Sequence, residues 1–250
     1  MDTGAATGRA APSSGNIGHM KFIRYFPVAP LLGLLAACGE KEPEVRRAET
    51  PASADAPRPA AQPAPPAAAD SRPNIAILGD SITAGHGLEP GHSFPDVVQR
   101  EIDARGLRYH VVNAGVSGDT TSNGLDRLPS VLAMKPEIVL IELGGNDGLR
   151  GLPIASTRAN LEEIIVTSQK AGAKVVLAGM TLPANYGVDY VRQFEKMYED
   201  LARKHNVKLI PFRLDLIGGS GGMLRDGIHP NKEGQLMLGQ HVASELFPLK

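Results

Sequence analysis

Glu137-Ile-Val-Leu-Ile-Glu-Leu143 is a short stretch that is apolar at nearly every position. A run of this length without strict polar and apolar alternation is typical of a strand in the middle of a parallel sheet, where both faces are covered. Four more apolar runs lie before and after it along the chain, at residues 75–78, 109–113, 174–178 and 208–212. Each predicts a further strand. Pro211 places the last strand at an edge of the sheet, because proline donates no hydrogen bond to a neighbouring strand.

Helical patterns fill the intervals between these runs. Apolar side chains recur in them at the spacing that forms one helix face, as at Val97, Val98 and Ile102. The helices are predicted at residues 94–104, 121–134, 157–170, 188–204 and 231–246. Strands that alternate with helices favour an α/β fold, here a flavodoxin-like three-layer sandwich with a five-stranded parallel sheet. In such sheets, binding sites form beyond the carboxyl ends of the strands.

Composition excludes several classes of partner. The chain has 250 residues and a formal net charge of −1, so nothing indicates binding to nucleic acid. Seven histidines lack metal-ligand spacing and there is a single cysteine, so neither a metal nor another cofactor is expected. Three segments are predicted: an upstream extension with a signal peptide at 1–37, a linker at 38–73 and a folded domain at 74–250. A monomer is expected, since no oligomer signal is present.

The single cysteine, Cys38, follows a segment typical of an export signal. The basic stretch Met20-Lys-Phe-Ile-Arg24 precedes an apolar segment at 25–37, whose 13 residues are too few to span a bilayer. Leu35-Ala-Ala-Cys38 resembles the lipobox of bacterial lipoproteins, in which the cysteine is diacylated and becomes the mature N-terminus. This resemblance implies lipidation at Cys38, and Gly39 implies the outer membrane. An ordinary secretory signal with an incidental cysteine is the alternative, and either Met1 or Met20 can be the start.

The segment after the lipobox has the composition of a spacer. Residues 51–73 hold seven prolines and nine alanines in 23 positions, so they lack the side chains to bury a core. At ~3 Å per residue, residues 38–73 would reach on the order of 100 Å. We therefore expect a disordered tether, with the lipid anchor as the only contact of the protein with the membrane.

Three residues of the folded domain have the types that nucleophilic catalysis requires. Ser81 follows the first predicted strand, where a hydroxyl is exposed and can be activated by a base. In Asp226-Gly-Ile-His229, the histidine is the candidate base and Asp226 can hydrogen-bond its other ring nitrogen. Taken singly, these residues have other readings: Ser81 as a helix cap, Asp226 as an ordinary turn residue and His229 as a histidine at the start of a helix.

Two further residues can stabilise a developing oxyanion. Asn146 follows the third strand and can donate from its side-chain amide, and Gly115 follows the second strand and lets a backbone N–H approach closely. With the N–H of Ser81, these would place three donors around one oxygen. Because all these positions fall at carboxyl ends of predicted strands or just before the last helix, they should share one cleft. Together they predict acyl transfer by a serine hydrolase.

Four segments of the chain resemble, in order, the sequence blocks of the SGNH (GDSL-type) hydrolase family. They are Gly79-Asp-Ser-Ile-Thr-Ala-Gly85, Gly115-Val-Ser-Gly-Asp-Thr-Thr121, Gly144-Gly-Asn-Asp-Gly-Leu-Arg-Gly151 and Asp226-Gly-Ile-His-Pro-Asn231. The resemblance implies that Ser81 is the nucleophile, that Asp226 and His229 complete a triad, and that Asp80 is structural. It also implies an oxyanion hole formed by Ser81, Gly115 and Asn146. The third block and Pro183-Ala-Asn-Tyr-Gly187 are similar to the bacterial thioesterase I, arylesterase and lysophospholipase subgroup.

This resemblance implies a serine esterase that acts through an acyl-Ser81 intermediate. Its substrate would be a small acyl ester or lipid, including thioesters and lysophospholipids, on the periplasmic side of a bacterial envelope. A carbohydrate O-acetyl esterase and a non-catalytic surface lipoprotein remain alternatives, as does a soluble periplasmic or secreted enzyme. The glycine-rich stretch 215–224 departs from the family pattern, which leaves the lining near Met223 and Leu224 open. Surface or packing roles are expected for the histidines without a motif, at 86, 92, 110, 205 and 241.

Overall fold

The computed structural model describes residues 70–212 and 214–248, so the predictions on Cys38 and the signal peptide, and nearly all of the linker, lie outside the described residues. Five parallel strands form one sheet in the order β2-β1-β3-β4-β5. Their bounds are β1 Asn74–Gly79, β2 His110–Gly115, β3 Ile138–Glu142, β4 Lys174–Gly179 and β5 Lys208–Pro211. This is the strand order of flavodoxin-like sheets, which confirms the predicted fold class.

Eight α-helices are described between and after the strands. They are α1 Ser81–Ala84, α2 Phe94–Ala104, α3 Thr121–Leu132, α4 Gly145–Leu149, α5 Ile154–Lys170, α6 Val188–His205, α7 Leu214–Gly219 and α8 Lys232–Leu246. Helix α2 packs against α8, whereas α3, α5 and α6 pack side by side. Because parallel crossovers are right-handed and the strand order reverses after β2, these two groups cover opposite faces of the sheet. Within the described residues, no helix combines the length and apolarity that crossing a bilayer requires.

The strand order decides where a site can form. Strands β1 and β3 are neighbours, although β2 lies between them in sequence. The chain leaves β1 toward one side of the sheet and leaves β3 toward the other, so a crevice opens between their carboxyl ends. Below this crevice every residue of β3 and residues 75–78 of β1 are buried.

Several element boundaries differ from the sequence prediction. Strand β2 extends to Gly115, two residues beyond the apolar run, because backbone pairing with β1 continues to Gly79. Helix α3 is capped by Thr120 rather than by one of the two residues after it. Helix α5 begins at Ile154, directly after Pro153. Helices α1, α4 and α7 were not predicted, since four to six residues are too few to show a periodic pattern.

Both edges of the sheet have features that limit further pairing. Pro211 lies in β5, which confirms the predicted edge position of that strand. At the other edge, the side chain of Gln99 in α2 lies along β2. Its Nε2 donates to the carbonyl of Tyr109 at 3.1 Å, and its Oε1 accepts the N–H of Val111 at 2.7 Å. The amide thus occupies one donor and one acceptor of the edge backbone.

Candidate active site

Ser81, His229 and Asp226 lie together at the carboxyl ends of the strands and form one hydrogen-bonded chain. The hydroxyl oxygen of Ser81 lies 2.9 Å from Nε2 of His229, and Nδ1 of His229 lies 2.7 Å from Oδ2 of Asp226. With its proton on Nδ1, the ring donates to the carboxylate and accepts from the hydroxyl at the same time. The structure therefore brings together Ser81 and the distant segment that carries Asp226 and His229.

The turn that carries Asp226 and His229 is held by its own polar groups. Oδ1 of Asp226 accepts the backbone N–H of His229 at 3.0 Å and that of Ile228 at 2.9 Å. The His229 N–H, then the His229 ring and the Ile228 N–H, lower the pKa of Asp226 from 3.8 to about 2. Asp226 is thus a carboxylate at neutral pH and can stabilise an imidazolium at His229.

Ser81 is the first residue of α1, and buried polar groups hold the turn before it. Asp80 caps this helix by accepting the N–H of Ile82 at 3.0 Å. Oε2 of Glu142 accepts the Asp80 N–H at 3.3 Å and the Thr83 hydroxyl at 2.6 Å. Burial raises the pKa of Glu142 well above its ordinary range and is also the main reason that the pKa of Asp80 rises to about 6. Among the described residues no acceptor engages the N–H of Ser81, which leaves it free to donate into the crevice.

Asn146 lies in α4, directly after β3, and its amide faces the same crevice. Nδ2 donates to the carbonyl of Asp119 at 2.9 Å and to Oδ2 of Asp80 at 3.2 Å. The contact with Asp80 is the longer and weaker of the two. An oxyanion beside Ser81 could therefore take over that donor while Asp119 keeps the amide oriented.

The predicted donor role of Gly115 is wrong, because the structure does not present its N–H to this crevice. Gly115 is the last residue of β2, and its N–H donates to Oδ1 of Asn113 at 2.9 Å. A Cβ at this position would lie 2.3 Å from the backbone nitrogen of Ala84. Glycine is thus required for close packing of β2 against α1. The reason for the difference is that β2 continues beyond its apolar residues.

Gly118, which sequence reasoning missed, is the better candidate for a backbone donor. Its φ of +87° is the left-handed conformation that favours glycine. No described residue accepts its N–H, and its carbonyl accepts Nη2 of Arg150 at 3.0 Å. The next residue is Asp119, whose carbonyl holds Asn146. The sequence could have indicated Gly118 only through its place in the turn after β2, and the apolar pattern alone does not show where that strand ends.

A mainly apolar cavity of about 530 Å³ opens beside Ser81. Asp80, Asn146 and His229 form its polar end, and Met223 belongs to its lining whereas Leu224 does not. The large apolar side chains of the wall follow β1, β3 and β4 or precede α8: Ile82, Leu149, Met180, Leu182, Leu214 and Ile228. Such a cavity suits an acyl chain whose carbonyl carbon lies at Ser81. In the part of the chain that the structure describes, no group of three histidine, cysteine or acidic side chains could hold a metal ion.

His86 is a neighbour of the base that no motif indicated. The centroid of its ring lies 4.5 Å from that of His229, with the ring planes at 40°. The backbone N–H of His86 donates to the backbone carbonyl of Ser81 at 3.0 Å. The turn after α1 therefore brings a second, exposed imidazole to the mouth of the site, where the sequence predicted a surface residue.

A serine, a histidine and an aspartate that are hydrogen-bonded in series at the switch point of a parallel sheet define a serine hydrolase. Residues 77–236 match the GDSL-like lipase/acylhydrolase family. The chain belongs to this family, and it is a carboxylic ester hydrolase.

Three characterised relatives support this assignment. The chain is 43% identical over 177 residues to esterase TesA of Pseudomonas aeruginosa, an overlap of 70% of this chain and 88% of the relative. It is 40% identical to an arylesterase of Vibrio mimicus, over 72% of this chain and 91% of the relative. It is 39% identical to thioesterase 1/protease 1/lysophospholipase L1 of Escherichia coli K12, over 73% and 86%. The subgroup predicted from the third block is thereby confirmed.

The crystal structure of TesA has the same fold. The two structures superpose with a TM-score of 0.68 at 42% sequence identity, covering 71% of this chain and 99% of TesA. The part of this chain that lacks a counterpart is thus about the size of the predicted signal peptide and linker together.

Proposed function

We propose that this enzyme hydrolyses medium or long acyl esters through an acyl-Ser81 intermediate, with His229 as general base and Asp226 as its orienting acid. The observation that carries the proposal is the hydrogen-bonded series of Ser81, His229 and Asp226 at the polar end of an apolar cavity of about 530 Å³. The serine is 8% exposed, so an acyl group must enter the cavity to reach it.

Acylation begins when Nε2 of His229 takes the hydroxyl proton and the Ser81 oxygen attacks the substrate carbonyl carbon. The carbonyl oxygen gains a negative charge, which the N–H groups of Ser81 and Gly118 and the Asn146 amide stabilise. The imidazolium of His229 then gives its proton to the departing alcohol or thiol. The carbonyl forms again, and the acyl group remains on Ser81.

Deacylation repeats these steps with water. His229 takes a proton from the water molecule, whose oxygen attacks the acyl-Ser81 carbonyl carbon. The same donors stabilise the second oxyanion. When it collapses, the Ser81 oxygen leaves and regains the proton from His229, and the product is a free fatty acid. Throughout the cycle the Asp226 carboxylate holds the ring in the tautomer that both steps need.

A series of p-nitrophenyl esters from acetyl to palmitoyl tests this proposal. The full chain and its Ser81→Ala variant would be compared for release of p-nitrophenol. We expect Ser81-dependent turnover that favours medium or long chains, since the wall of the cavity is apolar. Turnover confined to the acetyl ester would favour a carbohydrate O-acetyl esterase instead. No turnover with any ester, thioester or lysophospholipid would favour a non-catalytic surface lipoprotein.

We further propose that the enzyme is an envelope lipoprotein, exported to the periplasmic side and anchored in the outer membrane through diacylated Cys38. This rests on Leu35-Ala-Ala-Cys38 and on the proline- and alanine-rich residues that follow it. Membrane contact would pass through the anchor alone, and the catalytic domain would act as a monomer.

Fractionation of cells that express a Cys38→Ser variant tests the anchor. We expect the variant to leave the membrane fraction or to accumulate as an unprocessed precursor, whereas the wild-type chain is extracted with the outer membrane. The same distribution for both chains would show that Cys38 carries no lipid. Size-exclusion chromatography with light scattering of the Cys38→Ser chain measures the oligomeric state separately.

A further inference from the structure

One guanidinium connects three of the backbone segments around the site. Arg127 lies in α3, and each of its three guanidinium nitrogens donates a hydrogen bond. Nη2 donates to the carbonyl of Gly79 at 2.7 Å, Nη1 to the carbonyl of Ala114 at 2.6 Å, and Nε to Oδ2 of Asp119 at 2.6 Å. These are the distances of short charge-assisted hydrogen bonds. The acceptors lie at the end of β1, at the end of β2 and in the turn after β2.

Two of the residues that Arg127 binds, Gly79 and Asp119, lie next to the proposed oxyanion donors. Gly79 precedes Ser81 by two residues, so fixing its carbonyl fixes the start of α1. Asp119 directly follows Gly118, and the Asp119 carbonyl accepts Nδ2 of Asn146 at 2.9 Å. All three donors are therefore within two residues, or one hydrogen bond, of a residue that Arg127 binds.

We propose that Arg127 is a positioning residue that sets the spacing of the oxyanion donors without contacting substrate. The inference rests on the proposed function. The guanidinium is planar and presents its donors in a fixed fork, so it holds two carbonyls and a carboxylate in one geometry. A lysine ammonium keeps the charge but has a single nitrogen, and it cannot reproduce these three directions. The proposal therefore depends on the shape of the group and not only on its charge.

Arg105 provides a matched control in the same domain. Its side chain is 21% exposed, against 22% for Arg127. Its Nη1 reaches the carbonyls of Ala243 and Phe247 at 3.4 and 3.2 Å, and its Nη2 lies 3.6 Å from the carboxylate of Glu101. It thus also joins two carbonyls and one acid, but none of these partners adjoins or binds a proposed oxyanion donor.

The first test compares the Arg127→Lys and Arg105→Lys variants of the full chain with a medium-chain p-nitrophenyl ester. Misplaced transition-state donors lower kcat and leave ground-state binding unchanged, so we expect Arg127→Lys to lower kcat about 100-fold with KM within about twofold. Arg105→Lys should keep kcat within about twofold of wild type. A wild-type kcat for Arg127→Lys, a loss that appears only in KM, or an equal loss in Arg105→Lys would each overturn the proposal.

The second test combines Arg127→Lys with Asn146→Ala. Asn146→Ala removes one of the three donors that Arg127 positions, so the two losses should overlap in part, and the double variant should be slower than Asn146→Ala by clearly less than the roughly 100-fold loss of Arg127→Lys alone. A double variant that shows the full product of the two losses would overturn the proposal. Rates are taken per folded molecule, with circular dichroism measured on each variant. If the wild-type chain hydrolyses esters only when Ser81 is present and Arg127→Lys is fully active, this inference fails while the proposed function stands.

Discussion

The turn that carries Ser81, the proposed nucleophile, and the turn that carries His229, the proposed base, are stabilised in opposite ways. Around Ser81, side chains from distant segments converge: Glu142 of β3 is completely buried and binds both Asp80 and Thr83. The His229 ring reaches Ser81 and His86, but the hydrogen bonds that hold the turn itself are local. The Leu224 N–H donates to the His229 carbonyl at 2.7 Å, and the Asp226 side chain, which is 41% exposed, binds only groups two and three residues away.

The two aspartates beside the catalytic groups differ in pKa because of this contrast. Asp80 is 3% exposed, and burial raises its pKa to about 6. Asp226 is open to solvent but accepts hydrogen bonds from two backbone N–H groups and the His229 ring, which lower its pKa to about 2. Burial and hydrogen bonding thus move two carboxyl groups of one site in opposite directions. Asp226, with the lower pKa, is the one that stays fully ionised near neutral pH and can accept a strong hydrogen bond from an imidazolium.

The largest predicted loss of kcat is the same for a substitution in either turn. Because Ser81 and His229 act as one unit, Ser81→Ala and His229→Ala should each lower kcat on the order of 10⁶-fold, and the double variant should be no slower. Initial rates with a p-nitrophenyl ester measure this. A double variant that is slower than either single variant by more than about tenfold would show that the two residues act separately.

Removing the charge from the exposed turn should have the next largest effect. Asp226→Asn preserves the shape of the side chain but no longer favours the proton on Nδ1 of His229, so kcat should fall roughly 10³–10⁴-fold. The matched control is Asp189→Asn, whose carboxylate is also exposed and pairs with Arg192 on the surface. Asp226→Asn with more than about a tenth of wild-type kcat would mean that the local turn alone orients the base.

A donor on the buried side should contribute less than the triad. Asn146→Ala removes one of the proposed oxyanion donors, and kcat should fall roughly 10²–10³-fold with little change in KM. Steady-state kinetics on the same ester measures both parameters. A loss of less than about tenfold would place Asn146 outside the oxyanion hole and leave the two backbone N–H groups to supply the stabilisation.

The smallest predicted effect concerns stability and tests the opposite pKa shifts directly. The pKa of Asp80 is raised from 3.8 to about 6, so the folded state binds more protons than the unfolded state in this range. The free energy of unfolding should therefore fall by about 2 kcal/mol as the pH rises from 4 to 7. Asp80→Asn should make this slope smaller in urea denaturation across that range, and the slope that remains is the one expected from Glu142, whose pKa is raised in the same direction. Parallel curves for wild type and variant would contradict the raised pKa.

Asp226 supplies the complementary comparison. Its pKa is lowered, so its contribution to stability is present above pH 4 and is lost as the pH falls toward 2. The effect should be smaller than that of Asp80, because solvent screens an exposed pair. Asp226→Asn should thus flatten the acid end of the stability profile and leave the range from pH 4 to 7 unchanged.

The sequence predicted the parts of this molecule that depend on repeated patterns. Apolar runs identified all five strands, most clearly the central strands β1, β3 and β4, which are buried on both faces. Pro211 indicated the edge position of β5. Short motifs identified Ser81, Asp226 and His229, since each lies where a strand ends or the last helix begins.

The hydrogen bonds and ring contacts of individual polar groups could not be predicted in this way. Nothing in the pattern around Gly115 shows that Oδ1 of Asn113 takes its N–H, and nothing around Arg127 indicates that it holds two carbonyls. The ring of His86 reaches His229 only through the turn after α1. These features depend on strand register and on where elements end, and periodicity is least informative about both.

The occupied edges of the sheet bear on how the enzyme behaves when it is crowded. An edge strand with free N–H and carbonyl groups is a template on which another chain can add a strand, the first step toward aggregation. On β2 the amide of Gln99 already uses the N–H of Val111 and the carbonyl of Tyr109, and on β5 Pro211 has no N–H to offer. A second copy that approached either edge would find an interrupted ladder. Many copies could therefore be held at high local concentration without their sheets joining.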